Sequence, residues 1–184
     1  MIRSSRQESK GFTLIELLIV IGILGILAAI ILVAVAPAKR LKDSRDARRS
    51  SEVNSILNAV LNYVVDNKGA YPSVIDSIAT SSQIIGTGST CGGGINGTAG
   101  GPTGYCSEMT GTESGTSTCA NLTTDLVDTY IGEIPVDPRG VDINVATGTY
   151  DSSRTGYWIN KTTNGRIQVG SCNHEGTSSI KLTR

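Results

Sequence analysis

The stretch Lys10-Gly11-Phe12-Thr13-Leu14-Ile15-Glu16-Leu17-Leu18-Ile19-Val20, continuing through Ile23-Leu24-Gly25-Ile26-Leu27-Ala28-Ala29 to Ala36, sets the reading of this chain. From Leu17 to Ala36, twenty residues carry no polar side chain. At ~1.5 Å rise per residue they span about 30 Å, the hydrocarbon thickness of a bilayer, and Leu, Ile and Val all favour insertion. A membrane span over 17–36 is therefore expected. Before it, residues 1–11 are polar, with Arg3, Arg6 and Lys10 against Glu8. A secretory signal begins in the same way, but its apolar core is only about 7–15 residues long. Ala34-Val35-Ala36 imitates a cleavage site, yet Pro37 follows directly and makes a poor scissile bond.

Beyond the span the chain is mostly polar. The whole has 184 residues, with 16 Lys and Arg balanced by 16 Asp and Glu. This disfavours a generally basic nucleic-acid binder. Aromatic residues make up 4% and there is one His, so an aromatic-lined catalytic pocket and His-based acid–base chemistry are both disfavoured. Cys91, Cys106, Cys119 and Cys172 fit no CxxC metal spacing. An even number of cysteines behind a membrane-targeting segment reads as two disulfides in an oxidising compartment. Orientation by charge points the other way: Lys39, Arg40, Lys42, Arg45, Arg48 and Arg49 follow the span and outnumber the three cations before it.

The run from Lys10 to Val20, extended to Ala29, resembles the processing and assembly segment of type IV prepilins and type II secretion pseudopilins. The resemblance implies removal of a basic leader, residues 1–11, by cleavage between Gly11 and Phe12, and methylation of the new N-terminal Phe12. It implies that the span stays as a membrane anchor and later forms the filament core, with the C-terminal region outside the inner membrane. Glu16 has a chemical reason of its own. A lone carboxylate at the edge of an apolar helix is costly and usually functional, and nothing in the following span pairs with it. Its partner comes from the helix start or from another chain. Cleavage would create an α-amino group with pKa near ~8, able to neutralise Glu16 of a neighbouring subunit, as the family is thought to do. The alternative is a Glu16 merely solvated at headgroup depth. Gly22 and Gly25 suit close helix packing, although no GxxxG pattern is present. Many relatives have Pro where this chain has Val33; here Pro37 comes first and predicts a kink or local melting.

From 39 to 68 the pattern is amphipathic, with Val53, Ile56, Leu57, Val60, Leu61, Val64 and Val65 at steps of three and four. Asn67-Lys68-Gly69 supplies a helix stop, so one long helix over 12–68 is expected. The six cations of 39–49 are read as a solvated or lipid-headgroup-facing stretch, with DNA binding the weaker alternative. A short helix is expected from Ser73 to Ala79. A Gly/Ser/Thr-rich loop follows over 80–118, lacking the features of a phosphate loop. A helix over 121–131 is capped by Asn121. Pro135-Val136-Asp137-Pro138 then enters a sheet over 140–172, and this Pro-x-Asp-Pro resembles that of major pseudopilins. Residues 157–160 and 166–169 alternate and meet through Asn164-Gly165, a hairpin signal; a third strand is expected over 145–150. Of the three pairings open to four cysteines, Cys91–Cys106 and Cys119–Cys172 are favoured.

Calcium is a further option, since pseudopilins bind it near the last strands. Asp137, Asp142, Asp151 and Glu175 are available, but calcium needs six to eight oxygens, and Asn173-His174-Glu175-Gly176 stands in place of an acidic loop. His174 is expected to be exposed. Asn96, Asn121 and Asn160 open glycosylation-type triplets. The expected fold is α+β, a pilin-like lollipop: a long N-terminal helix packed on a small antiparallel sheet, with a disulfide-stapled loop in a globular region over 69–184. The resemblance implies a non-enzymatic subunit of a type IV pilus-like filament, polymerising with itself or with minor pilins. Its partners would be a prepilin peptidase, an inner-membrane platform protein, an assembly ATPase and, before assembly, membrane lipid. The alternatives are a major pseudopilin of a type II secretion system and, more remotely, a membrane-tethered enzyme or binding module.

Overall fold

The computed structural model describes residues 11–75, 82–88, 119–140, 149–176 and 178–184, the side chains of 33–35 excepted. The chain divides into two compact units, Met1–Leu41 and Lys42–Arg184. Most of the amphipathic helix belongs to the second unit because its apolar stripe is part of that unit's core.

In the first unit, helix α1 spans Leu14–Val35. Every Leu, Ile and Val from 14 to 32 is at least half exposed. By length and composition Leu14–Leu32 suffices to cross a membrane, so the apolar window already begins at Leu14, three residues before 17. The expected single helix over 12–68 is two. Ala36 takes φ 46, a left-handed conformation that stops α1. Pro37 then opens helix α2, Pro37–Asp66. At the first helical position the missing N–H of proline costs nothing. The Pro37 disruption is thus a break centred one residue upstream.

In the second unit, α2 turns Val53, Ile56, Leu57, Ala59 and Val60 inward, each at most 2% exposed. Fully burying the Val, Ile and Leu side chains among them is worth about 1.5–3 kcal/mol apiece. Leu61 and Val64 are partly buried, whereas Val65 lies off the stripe and is exposed. The helix stops at the expected place: Lys68 and Gly69 have φ 55 and 91, and the Gly69 N–H donates to the Val64 carbonyl at 2.8 Å.

A four-stranded antiparallel sheet packs on this stripe, in the order β1 (Gln83–Ile84), β2 (Tyr157–Lys161), β3 (Ile167–Ser171) and β4 (Lys181–Thr183). The register sets Ile159 opposite Val169 and Trp158 opposite Gly170. Tyr157, Ile159, Ile167 and Val169 join the α2 stripe in one core with Ile85, Leu122 and Leu126. Trp158 is also fully buried. A Cβ on Gly170 would stand 2.4 Å from the indole ring, so the close approach of the ring demands glycine there.

Several expectations change. β1 lies inside the stretch read as loop over 80–118, while 89–118 fall outside the described residues. β4 follows the expected end of the sheet. The β2–β3 connection is not a two-residue Asn-Gly turn, since that turn needs positive φ at both positions. Of the two, only Gly165 has it, with φ 74, and the Gly165 N–H bonds the Thr162 carbonyl. The helix expected over 121–131 shortens to α3, Thr123–Leu126, because Val127 turns extended at ψ 148, and Asp128 follows with φ 68. Asn121 is not its cap: Leu122 holds that position and makes no side-chain capping bond, while Asn121, one residue earlier, accepts the Thr123 N–H at 3.2 Å. Ser73–Ile75 form a turn. Residues 76–79 and 145–148 lie outside the described residues, as does that part of the expected short helix and third strand.

Candidate processing and assembly site

Gly11 and Phe12 precede α1 in non-helical backbone, and Phe12 is 86% exposed. A Cβ on Gly11 would meet nothing within 4 Å. The peptide bond between them is therefore open to a protease. Thr13 is the N-cap residue, with extended φ −81 and ψ 152. Its hydroxyl accepts the Glu16 N–H at 3.3 Å, while the Glu16 carboxylate accepts the Thr13 N–H at 2.9 Å and its hydroxyl at 2.7 Å. This reciprocal capping box satisfies helix-start donors that would otherwise be orphaned. Of the two sources considered for the partner of Glu16, the helix start is the one present within a single chain. The carboxylate sits at the positive end of the helix dipole, four residues from the proposed new N-terminus. Gly22 and Gly25 meet nothing within 4 Å of a built Cβ, so packing within the chain does not require them to be small.

A second charged centre was not legible as such. Arg49 is fully buried. Its Nε and Nη2 donate to the two Asp137 oxygens at 2.8 and 2.9 Å, and its Nη1 to Asp46 at 2.7 Å and to Glu175 at 3.2 Å. Arg45 grips Glu175 with two bonds of 2.6 and 2.5 Å. Asp46 in turn accepts the backbone N–H groups of Glu175 and Gly176, and Asp137 accepts the Arg139 N–H. Nearby, Arg48 pairs with Glu52, which also accepts the Tyr157 hydroxyl. Burial opposes the charge of Arg49, but the three carboxylates outweigh it and hold the guanidinium above its ordinary pKa. Burial and the Glu52 carboxylate push the Tyr157 hydroxyl up.

This cluster corrects the reading of 39–49 as uniformly solvated: Arg49 is buried and Arg45 half-buried. The spacing held a signal. Arg49 stands four residues before Val53 and so continues the apolar stripe. The cluster also engages two carboxylates weighed for calcium, Asp137 and Glu175. Asp151 holds a turn through Ser153 and Arg154, and Asp142 lies outside the described residues. Among the described residues no group of three or more His, Cys, Asp or Glu is placed to hold a metal. His174 is half-buried rather than exposed. Asn160 is buried within β2, which removes it as a surface glycosylation position. Neither Cys119 nor Cys172 is a free thiol. Cys91 and Cys106 lie outside the described residues, and with them the choice among pairings.

The cluster sets an acid dependence. The Arg45 guanidinium, with Arg49 behind it, holds the Glu175 carboxyl down to about 2 against an ordinary 4.5. A depressed carboxyl stabilises the fold above its unfolded pKa and loses that contribution as pH falls through its folded one. Stability of the second unit is expected to drop between about pH 4.5 and pH 2. Urea unfolding of the detergent-solubilised chain across that range checks it, and Glu175→Gln should flatten the drop.

No curated protein and no solved structure matches the chain. Residues 6–32, which hold Gly11, Phe12, the capping box and the apolar helix up to Leu32, match the family model of the prokaryotic N-terminal methylation motif, the signature of type IV pilins and pseudopilins.

Proposed function

We propose that this chain is a structural subunit of a type IV pilus-like filament. A prepilin peptidase cuts between Gly11 and Phe12 and methylates the new N-terminus. Helix α1 first anchors the chain in the inner membrane with the C-terminal unit outside. A platform protein and an assembly ATPase then move the subunit into a polymer whose centre is built from α1 helices. The observation that carries this is the exposed Gly11–Phe12 bond set directly against a capped apolar helix, exposed from Leu14 to Leu32, that carries the methylation motif. An apolar helix whose large side chains are exposed from Leu14 to Leu32 must be covered by lipid or by other copies. The same contact repeated along an axis, without closing on itself, gives a filament. The chain performs no chemistry in this reading. Pro135-Val136-Asp137-Pro138 favours a second reading within the same class, a major pseudopilin whose filament stays in the periplasm.

Intact-mass and N-terminal peptide analysis of the membrane fraction tests the proposal. The expected product starts at methylated Phe12 and, on reduction, gains the hydrogens of two disulfides. A chain starting at Met1 or at Pro37 overturns it. Imaging then separates a surface pilus from a periplasmic pseudopilus.

A further inference from the structure

The six cations behind the apolar helix fall into two groups. Arg45, Arg48 and Arg49 are engaged inside the chain by Glu175, Glu52 and Asp137. Lys39 and Arg40, the first two after α1, are exposed and among the described residues take part in no ion pair. Lys42 follows, also exposed, and Asp43 is the one acidic residue between Pro37 and Arg45. Resting on the reading of α1 as a membrane anchor, we propose that Lys39 and Arg40 bind the headgroups of anionic phospholipid in the leaflet from which α1 emerges.

The argument is one of reach and charge. Lys39 lies four residues beyond Val35, the last residue of α1. Whatever course the backbone takes after Ala36, Lys39 lies at most about 14 Å and Arg40 at most about 18 Å beyond Val35. The interfacial layer on each face of a bilayer is about 5–7 Å deep, and Lys and Arg stems reach several ångströms further to hold their charge among headgroups. With their stems folded back toward the membrane, both cations can place their charge at the depth of the lipid phosphates. Arg40 offers a planar fork of donors that matches a phosphodiester, and Lys39 a compact charge. Having no ion-pair partner among the described residues, they break no such pair by binding lipid, unlike Arg49. Each cation near an anionic surface contributes about 1 kcal/mol, or about five-fold in association. The functional consequence is a reservoir: anionic lipid holds the processed subunit in the membrane until assembly withdraws it.

The full chain, reconstituted into vesicles of phosphatidylcholine with an equal part of phosphatidylglycerol, tests this. Spin-labelled forms of each lipid report which of them the protein immobilises. The expected result is a preference for labelled phosphatidylglycerol of about five-fold or more. It should weaken in high salt, vanish in Lys39→Gln with Arg40→Gln, and persist in Lys181→Gln, a substitution of an exposed lysine on β4. Equal immobilisation of both lipids by the unaltered chain overturns the inference alone, as does a preference that survives the double substitution. A chain that fails to float with vesicles of either composition overturns the anchor reading and the inference with it.

Discussion

Replacing Arg49 with methionine is expected to destabilise the second unit by about 3–5 kcal/mol, the cost of breaking a buried ion pair from one side. The stem of methionine fills much of the arginine volume, so packing is not the main loss. The loss is electrostatic. Asp137 has no exposed side-chain surface, and without Arg49 its charge is left in a low-dielectric interior with one backbone N–H from Arg139 as the described donor. Glu175 fares better because Arg45 still grips it. Chemical unfolding of the detergent-solubilised chain reads the effect. A double-mutant cycle isolates its cause. Asp137→Leu alone leaves the Arg49 guanidinium with Asp46 and Glu175, so its cost should be smaller. Arg49→Met with Asp137→Leu should recover much of the single-site loss, because removing both members of a buried pair is often close to neutral. Equal costs for the double and single Arg49 substitutions would show that the arginine acts through packing instead.

How far the sequence revealed these features depends on the separation of the partners. The helix stop at Lys68 and Gly69 is local chemistry and was legible; the Thr13–Glu16 capping box is just as local, three residues apart, but the sequence pointed only to the helix start or another chain, not to Thr13, as the source of the partner of Glu16. Strands β2 and β3 showed in their alternating residues because Gly165 keeps the strands adjacent in sequence. The ion cluster did not show, since Arg49 meets Asp137 and Glu175 across 88 and 126 residues, and within its own neighbourhood it is one cation among six. β1 has two residues and β4 three, too few for any period to register. They become strands through their neighbours: Gln83 and Ile84 by pairing with Ile159 and Trp158, and Lys181 to Thr183 by pairing with β3. The break at Ala36 was misplaced by one residue because proline fits the first turn of a helix better than its interior. The strain therefore falls on the residue before it.

Glu16→Gln is expected to abolish filament formation while leaving cleavage after Gly11 intact, and the choice of glutamine is what gives the experiment its meaning. Glu16 has two separable capacities. As a hydrogen-bond acceptor it closes the capping box with Thr13, a contribution of about 1 kcal/mol to the helix start. Glutamine closes the same box, so α1 should begin where it does now. As a charge, Glu16 would attract the α-amino group that the proposed cleavage would expose on the Phe12 of another subunit. At ~4 Å and an effective dielectric of ~20 that attraction is about 4 kcal/mol, roughly a thousand-fold in association. Glutamine loses it entirely. Aspartate keeps the charge but retracts it by one methylene, so Glu16→Asp should restore partial assembly. Electron microscopy of sheared filaments, with immunoblots for the processed chain, reads both steps at once. Filaments at normal yield in Glu16→Gln would assign the residue to helix capping alone. Absence of filaments with the processed chain accumulating in the membrane would place the charge at the contact between subunits.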